Sequence, residues 1–302
     1  MNDLKHIEAA RTAFYGDYLA RWQAMIDAWR RPAASPKMWL MYAANYLFNT
    51  GGVRWALDPL RPNRLLPDLP VEVPTEALRE LSFVLLTHSH TDHYDPDLLR
   101  TLSGSRVRFV VPEPMLEQFD AQVHPDPDQI VVARSGSPLT LDGVRIEPFN
   151  GWHWAQQPDG RRTGMDATGY RVWVAGAHWL FPGDVRTYRP DALKPYAPVD
   201  CLFAHLWLGR GCALIQQPPL CQAFVDFVLA CRPRTLVLSH LYELSRQPED
   251  MWHRRHADMI RAHDAMTNAS IRLLAPAVGD GLAWGDEGPQ AILEPSRVSR
   301  VG

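Results

Sequence analysis

The sequence predicts an α/β layered fold, and three observations carry that expectation. Short apolar runs of strand length alternate with helix-length stretches from about residue 43 to residue 285. The 26 prolines fall between those runs, as loop punctuation does, and not in a low-complexity tract. A hydrophobic content of 46% over 302 residues supplies enough apolar surface for one large core, or for a core with an extension.

The first element is a helix over 3–31. Leu4, Ile7, Phe14, Tyr18, Trp22, Met25 and Trp29 recur at helical spacing, charged residues fall between them, and Pro32 stops the run. An apolar stripe of this kind is expected to pack on the main domain; a lid or a membrane-surface contact is the alternative. Next comes a hairpin, with Gly51-Gly52 between Asn45–Phe48 and Val53–Leu57 and an end at Asp58-Pro59. Further strands are expected at 83–87, 107–111, 130–133, 144–149, 171–175, 178–181, 199–204, 235–239 and 271–274. Helices are expected at 96–103, with Asp95 as cap and Pro96 in the first turn, and at 114–121, 218–231 and 248–268. The domain reading is a helical extension over 1–42, a catalytic domain over 43–285 and a C-terminal tail over 286–302.

Composition narrows the function. A net charge of −3 offers no broad basic field, so no nucleic-acid partner is expected. The four cysteines, Cys201, Cys212, Cys221 and Cys231, form no C-x-x-C pair, and charges run through residues 1–30 where a secretion signal would be apolar. A reduced, cytoplasmic setting is the expectation that follows. Eleven tryptophans would suit a partly apolar small-molecule or lipid-like substrate, with peripheral membrane contact as a further option, although large aromatics are mostly core residues.

The chemistry concentrates at one place. Phe83-Val84-Leu85-Leu86-Thr87 reads as a buried strand that delivers His88, His90, Asp92 and His93 into the loop at its carboxyl end. Imidazole nitrogens and carboxylate oxygens are the ligands of Zn²⁺ and its first-row neighbours. Four such residues within six positions point to a metal site and not to core filling.

The run His88-x-His90-x-Asp92-His93 after a hydrophobic strand resembles the metallo-β-lactamase superfamily. Leu57-Asp58-Pro59 is similar to that family's first motif. His153 in Gly151-Trp152-His153-Trp154, 60 residues after His93, resembles the third. Asp184 in Phe181-Pro182-Gly183-Asp184 and His240 in Leu238-Ser239-His240 resemble the fourth and fifth, 31 and 56 residues further on in turn. The resemblance spans about 43–285 and implies a four-layered αβ/βα sandwich, here with an N-terminal helical extension.

It also implies the ligand set. His88, His90 and His153 would hold one metal, Asp92, His93 and His240 the second, and Asp184 would bridge both. Asp58 would orient a ligand from behind. Two divalent ions are expected, Zn²⁺ first, with Mn or Fe as alternatives. A hydroxide shared by two metals, formed because coordination lowers the pKa of water to about 7, would attack an ester-type bond. Asp92 would help position it. The segment from His153 to Asp184 is most similar to the N-acyl-phosphatidylethanolamine-hydrolysing phospholipase D group and the L-ascorbate-6-phosphate lactonase-like group, so a phosphodiester or a lactone is the expected substrate. It departs from the former in the loop Gln157–Asp166.

Seven histidines lie outside the implied set. His205, at the end of the strand 199–204, is the candidate proton donor or substrate-oxygen contact. Arg186 and Tyr242 are candidates for anion binding. His253, His256 and His263 are expected to be solvated on a charged helix. Two other classes stay open: an iron-dependent oxygenase like the persulfide dioxygenases, and a non-catalytic metal-binding protein.

Overall fold

The computed structural model describes residues 3–66, 68–69, 73–156, 159–285 and 288–291. The chain divides into two compact units: residues 1–132 with 276–302, and residues 133–275. Most of the tail expected over 286–302 lies outside the described residues, and so do Gln157 and Pro158 of the loop 157–166.

In the first unit, eight strands among the described residues form one mixed sheet. Tyr46–Thr50 and Val53–Leu57 pair as the expected hairpin, with Thr50 opposite Val53. Gly51 and Gly52 both have positive φ, 67° and 91°, as the two central residues of a type I′ turn require. The strand Phe83–Leu85 runs parallel to Val53–Leu57 on one side and to Arg108–Pro112 on the other. Cross-strand register stacks Phe48 on Trp55 at 3.8 Å and Trp55 on Phe83 at 5.6 Å, which locks the register of three neighbouring strands. Because Val53–Leu57 and Phe83–Leu85 are parallel neighbours, the loops leaving their carboxyl ends emerge side by side. Those loops carry Asp58 and the residues 88–93, so topology alone brings them together.

The N-terminal helix, Asp3–Arg30, is packed and its stripe is covered. Ile7, Phe14, Tyr18, Trp22, Met25, Ile26 and Trp29 are all buried, whereas Leu4 is exposed and does not belong to the packed face. Trp29 Nε1 donates to the Phe48 carbonyl at 2.8 Å and Trp22 Nε1 to the Pro74 carbonyl at 3.0 Å. Asn49 Nδ2 donates to the carbonyls of Trp29 and Arg31, satisfying acceptors that a helix end leaves open.

The second unit is built on a sheet of seven strands among the described residues, with its own core. Val144–Asn150 and Thr168–Val174 are antiparallel, and Ala177–Phe181 follows by a hairpin. From there Ala177–Phe181, Cys201–His205, Thr235–Ser239 and Arg272–Leu274 are parallel, with crossover segments between them. The carboxyl ends of the first three lead directly to Asp184, His205 and His240. The helix Cys221–Ala230 covers this sheet through Phe224, Val225, Phe227 and Val228.

The expected helix over 248–268 is instead three short pieces, Pro248–Asp250, Arg254–Arg261 and Asp264–Asn268. His263 causes the second break: its backbone is extended and its side chain accepts the Ala265 N–H as an N-cap. The expectation of solvated histidines fails here for two of three. His253 and His256 are buried, and His256 Nε2 donates to the Ala213 carbonyl at 2.7 Å while its Nδ1 accepts the His253 N–H. Six of the eleven tryptophans, Trp22, Trp29, Trp39, Trp55, Trp179 and Trp252, are fully buried, so most of the aromatic content is core. Among the described residues no helix is long and apolar enough to cross a membrane.

Covering the stripe makes the helix part of the first unit's stability. Trp29→Ala should cost about 3–5 kcal/mol, the usual penalty for emptying a large aromatic site. Deleting residues 1–36 should give an aggregating chain, because two apolar faces are uncovered together. Thermal melts and vesicle flotation of both forms check this. A well-folded truncation that had merely lost lipid binding would contradict the packing account.

Candidate metal centre

The first unit carries a polar cluster at the mouth of its parallel strands. Asp58 follows the strand Val53–Leu57 in a left-handed turn, φ 46°, and its backbone N–H donates to the Leu85 carbonyl. That turn swings the carboxylate under the loop that follows Phe83–Leu85. Asp58 Oδ1 accepts the Thr87 N–H at 2.8 Å, and Oδ2 accepts the Thr87 hydroxyl at 2.5 Å and His93 Nδ1 at 2.8 Å. Asp58, Thr87, His88 and His93 are all completely buried. Asp58 belongs geometrically to a possible ligand group with His88 and His93, and both its oxygens are engaged in these bonds.

These bonds settle the tautomers. The Thr87 hydroxyl proton is given to Asp58, so at its 2.9 Å contact with His88 Nδ1 the hydroxyl oxygen accepts and the imidazole donates. His93 Nδ1 donates to Asp58 in the same way. Both rings therefore carry their lone pair on Nε2, the nitrogen that a cation would need. His88 Nε2 lies 3.2 Å from His90 Nδ1. Two imidazole nitrogens on one tetrahedral Zn²⁺, each at roughly 2.0–2.1 Å, stand roughly 3.3 Å apart. The geometry fits a shared ion. Asp92 Oδ2 is 3.8 Å from His93 Nε2, so the run pairs off as His88 with His90 and Asp92 with His93.

The loop is pinned at both ends. Asn45, fully buried, donates through Nδ2 to the carbonyls of Asp58 and Asp92 at 2.7 and 2.9 Å. Beyond it, Asp95 caps the helix Pro96–Ser103 by accepting the Leu98 N–H and takes a bidentate contact from Arg61, two bonds of 2.8 Å.

The second unit carries the other ligand-type residues. His153 Nδ1 donates to the Asp184 carbonyl at 2.7 Å, which again leaves the lone pair on Nε2. Asp184 offers carboxylate oxygen within 4.8 Å of a His153 nitrogen and also of a His240 nitrogen, so it can serve both. His205 Nδ1 lies 2.6 Å from Asp184 Oδ1, and the His205 and His240 rings stack at 5.6 Å. His240 sits in a left-handed turn, φ 67°, and its Nδ1 is 3.4 Å from Oε2 of the buried Glu243. Arg246 Nε pairs closely with the same carboxylate oxygen. Gly164 closes over His153: a Cβ there would lie 2.2 Å from the His153 carbonyl oxygen, and its φ is 119°. Only glycine fits.

A cleft beside Asp184 is lined by Arg186, His205, Trp207, His240 and Arg246 among others. Tyr242, the other expected anion contact, is not one of its lining residues; its hydroxyl accepts the Arg254 N–H at 3.2 Å. Asn45, Thr87, Glu243 and Arg246 escaped the sequence reading. Thr87 and Glu243 had a usable signal, a hydroxyl next to a ligand-type histidine and an acid three residues after one. The cysteines take no part. All four are thiols, and burial pushes Cys212 up to about 11 and Cys231 up to about 12, so neither supplies a thiolate near neutral pH.

Residues 45–274 match the model of the Beta-lactamase superfamily domain. The chain belongs to the metallo-β-lactamase superfamily. Its fold is also similar to Igni18, a metallo hydrolase from Ignicoccus hospitalis, with TM-score 0.60, 15% identity and coverage of 83% of this chain and 99% of that one. The metallo-β-lactamase fold protein YhfI from Bacillus subtilis gives 0.58, 18%, 82% and 99%. CmlA, a diiron β-hydroxylase from Streptomyces venezuelae, gives 0.54 and 15%, with 80% of this chain but 53% of that one covered. No curated protein sequence matches the chain significantly. The superfamily's α/β fold with two sheets and an added N-terminal helix is therefore the architecture of this protein.

The relay from Asp58 yields a graded test. Asp58→Asn places an amide against the His93 N–H and should lower metal affinity about 10–100-fold. Thr87→Val keeps the shape and removes the hydroxyl, and should cost roughly tenfold, with Thr87→Ser restoring it. Metal-competition titrations against a chromogenic chelator read both. Equal affinities for wild type and Asp58→Asn would contradict the relay.

Proposed function

We propose that this chain is a binuclear metal-dependent hydrolase acting on an ester-type bond. His88, His90 and His153 would hold one divalent ion, and Asp92, His93 and His240 the other, with Asp184 shared. The observation that carries this reading is the position of Asp184, whose carboxylate can reach His153 and His240 alike while His205 holds one of its oxygens. The donor set, five imidazoles and two carboxylates, suits Zn²⁺, with Mn or Fe also able to accept it. Bound there, such ions would lower the pKa of water and polarise the substrate's electrophilic oxygen.

The chain's own residues do the rest. Asp58 and Thr87 hold His88 and His93 in the binding tautomer. Asp92 accepts a hydrogen bond from the attacking water and orients it. His205 orients Asp184, and in its imidazolium form it gives the Nε2 proton to the leaving oxygen. A phosphodiester or a lactone of a small-molecule or lipid-like substrate is the proposed target, in line with the resemblance of His153–Asp184 to the phospholipase D-like and lactonase-like groups.

Two metals per chain are expected from elemental analysis after saturation. Asp184→Ala should retain fewer than two and lose nearly all activity, because it removes a ligand common to both ions. Wild type should hydrolyse at least one of bis(p-nitrophenyl) phosphate, a lactone series and an N-acyl phospholipid. A ceiling of one metal, or oxygen-sensitive iron with oxygen uptake, would overturn the hydrolase reading in favour of an oxygenase.

A further inference from the structure

We propose that Glu243 is a positioning residue for His240: its carboxylate accepts a hydrogen bond from Nδ1 and so leaves the Nε2 lone pair toward Asp184, with Arg246 holding the acid. The inference rests on the reading of His240 as a metal ligand and adds what aims its ring. His240 and Glu243 are both buried, and His240 Nδ1 lies 3.4 Å from Glu243 Oε2. Its other nitrogen, Nε2, lies 3.6 Å from Asp184 Oδ1, an oxygen that His205 Nδ1 already approaches at 2.6 Å. A neutral imidazole carries one N–H and one lone pair, so it cannot donate to both carboxylates. The distances tell the two apart. A separation of 3.6 Å is too long for a hydrogen bond, but it is near the roughly 3.3 Å between two ligands of one tetrahedral ion. The shorter contact, to Glu243, takes the proton.

A strained turn builds this contact. His240 and Tyr242 both take left-handed conformations, φ 67° and 52°, which non-glycine residues keep only where their surroundings impose them. A bridge between Leu241 and Trp252 imposes them here, and the Tyr242 N–H donates to the Trp252 carbonyl at 2.7 Å. The turn brings the acid of Glu243 back against the imidazole edge. The His205 ring, stacked on that of His240 with an interplanar angle of 11°, covers one face, so polar partners act at the edge. Glu243 is fixed in turn. Arg246 Nε pairs closely with the same Oε2, and the Arg246 N–H donates to the Glu243 carbonyl at 2.9 Å. A carboxylate this deeply buried needs donors in place of water, and a guanidinium and an imidazole N–H provide them. Asp58 serves His93 in the same way in the first unit, at 2.8 Å. The longer contact to His240 sets the smaller effect expected below.

Zinc itself is the probe, titrated into the full chain against a chromogenic chelator. Glu243→Gln should weaken one of two zinc ions about tenfold, the lower end of what such an outer carboxylate contributes, and leave the other within about twofold. In a His240→Ala background the same substitution should change zinc affinity no further, because the residue through which it acts is gone. A purely structural role for the Glu243–Arg246 pair predicts instead a lower melting temperature with both zinc affinities unchanged, and that result would overturn the proposal. So would an equal loss of affinity in the two backgrounds. A measurement on the wild-type chain covers a variant that does not fold. Long-range ¹H–¹⁵N spectra of the zinc-loaded protein should show His240 protonated on Nδ1 and metal-shifted at Nε2; a proton on Nε2 would refute the assignment. None of these readouts needs turnover. A chain that holds two zinc ions, with Glu243 acting through His240, and cleaves no ester would refute the hydrolase reading and leave the positioning role standing.

Discussion

The carboxylate of Asp58 is the constraint on which the first cluster depends. A fully buried charge costs several kcal/mol in desolvation unless donors replace the lost water. Here three do so, the Thr87 N–H and hydroxyl and His93 Nδ1, all at 2.5–2.8 Å. Charge-assisted bonds of that length are among the stronger ones a protein makes. Their geometry follows from the backbone: two parallel neighbouring strands end together, and a left-handed residue turns the acid beneath the adjacent loop. One side chain thus sets the proton positions on two imidazoles, one directly and one through a hydroxyl.

The second unit reaches a similar end by different means. Asp184, His205 and His240 also lie at or just after the carboxyl ends of parallel strands, whereas His153 follows the antiparallel strand Val144–Asn150. His153 is set by a main-chain carbonyl, Asp184 by His205, and His240 faces Glu243. The left-handed conformation of His240 parallels that of Asp58, and non-glycine residues held there cost energy that packing must cover. Through its pair with Glu243, Arg246 connects this set to the cleft beside Asp184.

Much of this was legible in the sequence, for identifiable reasons. Buried parallel strands read as continuous apolar runs, so Phe83–Leu85, Cys201–His205 and Thr235–Ser239 stood out, and the ligand-type residues directly follow such runs. Asp95 and Pro96 announced their helix, and the twin glycines their turn. The segment 248–268 misled because its charges suit a long exposed helix; the extended His263 that divides it has no composition signal. His253 and His256 are buried by tertiary contacts that a charged local sequence hides. Asn45, Thr87, Glu243 and Arg246 are single polar residues whose importance lies in partners far along the chain or in a turn, and periodicity does not report those. Leu4 fits the stripe by spacing but lies at the end of its helix, past the surface that covers the rest.

Histidine tautomers in the zinc-loaded protein test the central claim most directly. Long-range ¹H–¹⁵N spectra distinguish a protonated Nδ1 from a protonated Nε2 on each assigned ring. His88, His93 and His153 should all keep the proton on Nδ1 and show a metal-shifted Nε2. A proton on Nε2 of His88 or His93 would contradict the hydrogen-bond relay that begins at Asp58.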